Sequence, residues 1–306
     1  MKSLNRPTSY ALIISLGILF FAGFAGTAAF GQFGPVEGTP SPVPKAVAIA
    51  RPTAEEVQLA ERSLAKFLES ADSAIKEINQ KYPGLISVRV PPVNSATIPF
   101  LAPYFQTKFQ ANVEVAKKGD IDLLFMGDSI TDFWRNPDGP YAGKPVLDKY
   151  WGNLKVANFG IAGDTTQGVI YRLQHGEGQG FSPKAVMLMI GTNNTGRNSA
   201  AEIAEGIGAV VFELQKDFPK AKILLLAVFP RSTAKDPVRA TITEINNIIA
   251  KLDDGDRVKY LDIGSKFLDA DGNIAKDVMS DALHPTTKGY EIWAEAVKEP
   301  LANLMK

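Results

Sequence analysis

Two short segments far apart in the chain carry the side chains of a nucleophilic catalyst. Ser129 stands in G-D-S-I-T at residues 127–131, and Asp281 and His284 stand in D-A-L-H-P at residues 281–285. A serine hydroxyl is a weak nucleophile unless a neighbouring base takes its proton, and an imidazole oriented by a carboxylate is such a base. Because Asp281 and His284 are three residues apart, one turn could join carboxylate to imidazole. These residue types predict acyl transfer through a Ser-His-Asp triad.

Two glycine-containing segments supply groups that could stabilise a negative oxygen during such a reaction. They read G-I-A-G-D-T-T-Q at residues 160–167 and G-T-N-N at residues 191–194. Glycine allows backbone N–H groups to approach a ligand closely, and Asn193 adds a side-chain amide donor. Acyl transfer needs such donors, because removing one of them typically costs ~10²–10³ in rate.

Three of these four segments directly follow apolar runs of strand length, which alternate with amphipathic helical periods. Near-continuous apolar strands between such helices predict a parallel sheet that is covered on both faces. In sheets of this kind ligands bind beyond the carboxyl ends of the strands. We therefore expect Ser129 at that edge, directly after the first run. The runs cover residues 121–126, 156–159, 185–190, 223–228 and 258–263.

In their order along the chain, at residues 127, 160, 191 and 281, the four segments resemble the diagnostic blocks of the SGNH, or GDSL-type, ester hydrolases. In motif they are closest to the catalytic subunits of platelet-activating-factor acetylhydrolase and to bacterial carbohydrate esterases. The resemblance implies that Ser129 is the nucleophile, His284 the base and Asp281 its orienting carboxylate. It also implies an oxyanion hole made by the backbone N–H groups of Ser129 and Gly163 and by the Asn193 side chain. No metal and no organic cofactor is implied.

The same resemblance, which covers about residues 99–306, implies an α/β fold. The expected architecture is a flavodoxin-like three-layer sandwich with a five-stranded parallel sheet, and this agrees with the five apolar runs. One position departs from the pattern, because Asn194 stands where many members carry aspartate. That departure leaves the anchoring of the loop open, although the donor at Asn193 is retained.

The start of the chain predicts export from the cytoplasm. Lys2 and Arg6 precede an apolar run that small residues follow, as in a secretory signal peptide over residues 1–31. An uncleaved membrane anchor facing outside the cytoplasm is the alternative, since residues 10–30 are nearly long enough to span a bilayer. We expect a secreted or periplasmic protein, with membrane contact only if this segment stays uncleaved.

A linker and a helical arm are expected before the hydrolase-like domain. The linker is rich in proline and glycine, which predicts extended and poorly ordered chain. Thr53 with Glu56 is a capping-box signature, and the apolar stripe behind it predicts one helix that reaches about Lys81. The predicted signal peptide, linker, arm and domain cover residues 1–31, 32–52, 53–91 and 92–306.

Composition narrows the classes of function further. The chain of 306 residues has 33 basic and 33 acidic residues, a balance that disfavours a nucleic-acid partner. It has no cysteine, which excludes disulfides, thiolate metal sites and a cysteine nucleophile. Of its two histidines, His175 is expected to be exposed at a helix end near a glycine stop. His284 is then the candidate base.

We therefore expect an exported serine ester hydrolase that removes short acyl groups from small-molecule or polysaccharide esters or from lipid esters. Acetyl is the acyl group that we expect. Two alternatives stay open from the sequence. One is acyl transfer to a sugar hydroxyl by the same residues, and the other is an exported carbohydrate-binding protein without activity. Phe133 and Trp134, just beyond Ser129, either line a substrate pocket or pack in the core.

Overall fold

The computed structural model describes residues 38–88, 90 and 93–306, so the predicted signal peptide and the start of the linker lie outside the described residues. A parallel five-stranded sheet in the order β2-β1-β3-β4-β5 forms its centre. This is the flavodoxin-like strand order, with a switch point beside β1. The predicted fold class is confirmed. The strands are β1 Leu123–Gly127, β2 Val156–Asn158, β3 Ala185–Met189, β4 Lys222–Leu226 and β5 Val258–Leu261.

Helices precede the sheet and connect its strands. Among the described residues the α-helices are α1 Ala54–Ser70, α2 Ser73–Lys81, α3 Gln106–Lys118, α4 Ser129–Asp132, α5 Lys144–Trp151, α6 Thr166–Arg172, α7 Ala200–Asp217, α8 Val238–Ile249 and α9 Thr287–Leu304.

Alternate residues of each strand enter two apolar clusters, one on each face of the sheet. Leu124 and Met126 of β1 pack with buried residues of α6, α7 and α8. Leu123 and Phe125 pack on the other face with α5 and α9. Because both faces are covered, the central strands β1 and β3 are apolar and fully buried, and ligands can approach only at the strand ends.

The predicted arm is helical, but it consists of two helices where the sequence predicted one. The capping box at Thr53 is present, since its side chain and that of Glu56 each accept from the other's backbone N–H. The first helix ends because Ala71 is extended, with ψ 154°, and the Asp72 side chain accepts from the N–H of Ile75 at 3.0 Å. An aspartate that caps a new helix competes with continuation of the old one. Neither arm helix has a buried residue.

Part of the segment that the sequence predicts as a poorly ordered linker packs on α7 instead. Val47 is only 5% exposed and belongs to the apolar cluster of that face. The Glu205 carboxylate of α7 accepts from the Ile49 N–H at 2.6 Å and from the Arg51 guanidinium at 2.7 and 2.8 Å. Beyond the arm, the Asn94 side chain donates to the same carboxylate at 2.9 Å. Both ends of the arm are thus fixed at Glu205, a pairing that composition does not reveal.

Within the described ranges, no helix combines the length and the apolar character that a bilayer crossing requires.

Candidate active site

The turn between β1 and α4 places Ser129 at the carboxyl edge of the sheet. β1 ends at Gly127, where a Cβ atom would lie 2.3 Å from the carbonyl oxygen of Met189, so a larger residue would push β1 and β3 apart. The Asp128 side chain then accepts from the N–H of Ile130 at 3.0 Å and caps α4. Ser129 is the first residue of that helix and is 7% exposed.

Asp128 itself is completely buried beside the nucleophile. Burial raises the pKa of its carboxyl to about 7, and the charge of Asp164 adds to this, while the N–H of Ile130 opposes it. Its Oδ2 atom has no hydrogen-bond partner among the described residues. The geometry is that of a helix cap rather than of a group that reaches substrate.

Ser129, His284 and Asp281 form a continuous chain of hydrogen bonds. Nε2 of His284 lies 2.9 Å from Oγ of Ser129, and Nδ1 lies 2.7 Å from Oδ2 of Asp281. His175 is exposed after α6, and its Nδ1 lies 2.6 Å from the carbonyl oxygen of Tyr171. The structure therefore brings together the three side chains that the sequence predicted as a triad and leaves the other histidine outside it.

Four donors surround the Asp281 carboxylate. The backbone N–H groups of His284 and Leu283 donate to Oδ1 at 2.8 and 3.0 Å. The Tyr141 hydroxyl donates to Oδ2 at 3.0 Å, beside the His284 ring. Partial burial favours a higher pKa for Asp281, but these hydrogen bonds outweigh it and lower the pKa to about 2. The Asp281 carboxyl is therefore ionised at neutral pH, where it can orient the His284 imidazole.

The loop that carries Asp281 and His284 has an unusual backbone and is held by the loop after β4. Ala282 lies in the left-handed region with φ +56°, which costs of order 1 kcal/mol for a residue with a side chain. The N–H of Ser232 donates to the Ala282 carbonyl oxygen at 2.8 Å. Arg239 in turn donates to the Ser232 carbonyl oxygen at 3.3 Å. The neighbouring loop thus stabilises the conformation that brings carboxylate and imidazole together.

The predicted oxyanion donors lie on adjoining loops. Gly163 has φ +87° in a turn closed by the Asp164 N–H and the Ile161 carbonyl oxygen at 3.1 Å. The Asn193 side chain donates to the Asp164 carbonyl oxygen at 2.8 Å. Since an amide nitrogen carries two hydrogens, one remains to donate elsewhere. The N–H of Ser129, in the first helical turn, likewise has no acceptor within its own helix.

Asn194 anchors the loop at the position where the sequence departs from the family pattern. It is 1% exposed, and its Oδ1 accepts from the Thr166 N–H at 3.1 Å. Its amide donates to Gln167 at 2.9 Å and to Asn198 at 3.3 Å. An asparagine therefore holds this loop to the start of α6.

A buried cluster of charges lies behind the Gly163 loop, and no motif in the sequence indicates it. Arg172 is 0% exposed and donates to the Asp164 carboxylate at 2.9 Å, and it also pairs with Glu177. The Asn112 amide donates to Glu177 at 2.9 Å. Burial raises the pKa of Glu177 to about 7, against the lowering effect of Arg172 and Asn112, and burial also raises the pKa of Asp164. The carboxyls of Asp164 and Glu177 thus share the Arg172 guanidinium, and none of the three side chains is exposed to solvent.

Asp132 joins the nucleophile helix to the oxyanion loop. It is 3% exposed and forms ion pairs with Lys108 and Arg135. Its Oδ2 accepts from the Ala162 N–H at 2.9 Å, one residue before Gly163. Asp132 directly follows the G-D-S-I-T segment in the sequence, but nothing in that segment indicates this contact.

The two aromatic residues beyond Ser129 have different environments. The Phe133 ring lies 5.0 Å from the His284 ring, centroid to centroid, and stacks on the Tyr141 ring at 5.7 Å and 18°. Trp134 is 0% exposed and packs in the core. Phe133 therefore borders the site, and Trp134 does not. Tyr141 was missed because its segment contains no recognisable motif.

Comparison with known proteins gives consistent matches. The GDSL-like Lipase/Acylhydrolase family matches residues 125–292. Platelet-activating factor acetylhydrolase IB subunit alpha2 of Rattus norvegicus is 33% identical over 191 residues, which cover 62% of this chain and 80% of that protein. Subunit alpha1 of Homo sapiens is 31% identical, with 62% and 79% covered. A G-D-S-L family lipolytic protein from Veillonella parvula has a similar fold, with a TM-score of 0.51 at 20% identity over 59% of this chain and 98% of that one.

Proposed function

The chain belongs to the GDSL-like lipase/acylhydrolase family and is an ester hydrolase, and we propose that it releases short acyl groups from carbohydrate or lipid esters through Ser129, His284 and Asp281. The observation that carries the proposal is the unbroken pair of hydrogen bonds from Ser129 to His284 at 2.9 Å and from His284 to Asp281 at 2.7 Å. The same arrangement of hydroxyl, imidazole and carboxylate recurs on unrelated folds that perform acyl transfer.

The first half of the reaction forms an acyl-enzyme. Ser129 Oγ attacks the ester carbonyl carbon while Nε2 of His284 takes the hydroxyl proton, and the carbonyl oxygen becomes negative. Asp281, ionised and bonded to Nδ1, stabilises the imidazolium that forms. When the tetrahedral intermediate collapses, the bond from carbon to the alcohol oxygen breaks, and His284 gives its proton to the departing alcohol.

Water completes the cycle. His284 takes a proton from the water that attacks the acyl carbon, and returns it to Ser129 Oγ as the acid leaves. In both halves the negative oxygen is stabilised by the N–H groups of Ser129 and Gly163 and by the second amide hydrogen of Asn193. That amide is aimed by its bond to the Asp164 carbonyl oxygen at 2.8 Å.

Two features support the choice of substrate. The curated relatives are named acetylhydrolases, which favours acetyl as the acyl group. Residues 1–31 form an apolar run with a basic start and a small-residue end, which favours export from the cytoplasm. Acetylated polysaccharides and lipid esters are substrates that an exported enzyme would meet. We infer a secreted or periplasmic acetylesterase that takes small-molecule or polysaccharide esters, lipid esters included.

The nucleophile is tested by Ser129→Ala against p-nitrophenyl acetate. We expect kcat to fall by ~10³-fold or more, as for other serine triads, while Ser63→Ala on the exposed arm helix α1 leaves it unchanged. A fluorophosphonate probe should label the wild-type protein at Ser129. Turnover by Ser129→Ala at the wild-type rate would disprove the assignment.

The substrate class is tested by a series of p-nitrophenyl esters followed by acetylated xylan and a phospholipid. We expect the highest kcat/KM for acetate and a steep fall with chain length, with free acetate released from the polymer. If long-chain esters or the phospholipid turn over faster than the acetates, the proposal of a short acyl group is wrong.

A further inference from the structure

Tyr141 contacts two members of the proposed triad from a loop that precedes α5. Its hydroxyl lies 3.0 Å from Oδ2 of Asp281, and its ring centroid lies 5.3 Å from that of His284. Among the described residues it is the one side chain outside the 281–284 loop that donates to the Asp281 carboxylate. It thereby joins the segment that follows the nucleophile to the loop that carries base and carboxylate.

The distribution of donors over the two carboxylate oxygens gives this contact its importance. Oδ1 of Asp281 is occupied by the backbone N–H groups of Leu283 and His284. Oδ2 receives both the His284 ring and the Tyr141 hydroxyl. The side chain of Asp281 is 38% exposed, so without a second donor Oδ2 would be hydrated by mobile water.

We propose that Tyr141 is a positioning residue whose hydroxyl fixes the plane of the Asp281 carboxylate, so that Nδ1–H of His284 stays on Oδ2 and Nε2 stays directed at Ser129. This inference rests on the triad of the proposed function. It adds a fourth side chain that acts through Asp281 and touches no substrate.

The surroundings hold the Tyr141 hydroxyl in place. Its ring stacks on Phe133 at 5.7 Å with an interplanar angle of 18°. The next residue of the loop, Ala142, accepts from the Thr287 hydroxyl at 3.0 Å at the start of α9. Because ring and backbone are both held, removing only the oxygen leaves a phenylalanine that can occupy the same site. Tyr141→Phe therefore isolates the hydroxyl.

A kinetic split tests the proposal. In Tyr141→Phe the Asp281 carboxylate loses one charge-assisted donor. We expect kcat for p-nitrophenyl acetate to fall about tenfold and KM to stay within about twofold of wild type. The loss falls on kcat because orientation of the imidazole matters most when the imidazole becomes charged. Tyr150→Phe is the matched control, since its hydroxyl also donates to a carboxylate, Glu295, at 3.0 Å, but between α5 and α9 on the outer surface. The control should retain wild-type kinetics.

Nitrogen NMR of the two histidines supplies a readout that is independent of activity. At alkaline pH the wild-type His284 signals should show one tautomer, with the proton on Nδ1, and those of Tyr141→Phe should move toward a mixture of tautomers. His175, bonded to the Tyr171 carbonyl oxygen, serves as the internal reference and should not change.

Three results would overturn the positioning role. These are a kcat in Tyr141→Phe within about twofold of wild type, an effect on KM alone, or a lowered kcat with an unchanged His284 tautomer. Ser129→Ala separates this from the proposed function. If that variant is inactive while Tyr141→Phe behaves as wild type, the triad stands and the role of Tyr141 falls.

Discussion

The buried cluster behind the oxyanion loop predicts a specific dependence of stability on pH. The perturbation is Glu177→Gln, which removes one ionisable carboxyl and keeps its size. In the folded protein, burial raises the pKa of Glu177 from an ordinary 4.5 to about 7. An acid whose folded pKa is raised binds its proton more tightly in the folded state. Its contribution to stability is therefore complete below pH 4.5 and is lost as pH rises toward 7.

The size of the effect follows from those two values. Each pH unit between them changes the free energy of unfolding by about 1.4 kcal/mol, so the wild-type protein loses roughly 3 kcal/mol through Glu177 between pH 4.5 and 7. Glu177→Gln lacks this loss. Its stability relative to wild type should rise by that amount across the window, provided that the new amide still accepts from Arg172.

Urea unfolding at a series of pH values from below 4.5 to above 7 measures this difference directly. Glu295→Gln is the control, because the pKa of that exposed carboxyl is lowered by its hydrogen bonds to Lys298 and Tyr150, so it titrates below the window. Parallel stability curves for wild type and Glu177→Gln would refute the reasoning. They would mean that Arg172 keeps both of its carboxylates charged in the folded protein.

Four further substitutions address the site and its support. Asn193→Ala should lower kcat for p-nitrophenyl acetate by ~10²–10³-fold through loss of an oxyanion donor, and an unchanged kcat would exclude that role. Gly163→Ala forces a side chain into φ +87° and should cost of order 1 kcal/mol in urea unfolding and slow turnover; equal stability would argue against the left-handed turn. Trp134→Ala should leave a core cavity and cost ~3–5 kcal/mol of stability in urea unfolding. Phe133→Ala should alter turnover more than stability. The reverse pattern would contradict the placement of Trp134 in the core and of Phe133 beside the site.

The sheet and the contacts of the triad were predictable because their signals are local. An apolar run ending in glycine reads as a buried strand, and the run at residues 185–190 corresponds to β3 at Ala185–Met189. Ser129 and His284 each sit in a segment with a recognisable pattern, and a parallel sheet brings the ends of its strands to one edge. The catalytic roles of these residues stay predictions, although their proximity is now a structural fact.

The residues that support the site could not be predicted, since each depends on a partner distant in sequence. Tyr141 lies 140 positions before Asp281, and no periodicity links them. Arg172 looks like an ordinary helix residue until the fold encloses it between two carboxylates. The break in the arm at Asp72 was also missed, because an apolar stripe continues through it and only the side-chain cap reveals the second helix.

The attachment of the arm at Glu205 has a consequence for how this chain can vary. Arg51 and Asn94 donate to the Glu205 carboxylate at 2.7 and 2.9 Å. The polypeptide therefore leaves the hydrolase domain and returns to it at the same residue. Any segment between those two residues forms a loop whose ends are close together, and lengthening such a loop costs little free energy. We therefore expect that a shorter hairpin or a foreign domain can replace the arm while the sheet and loops that support Ser129 keep their fold.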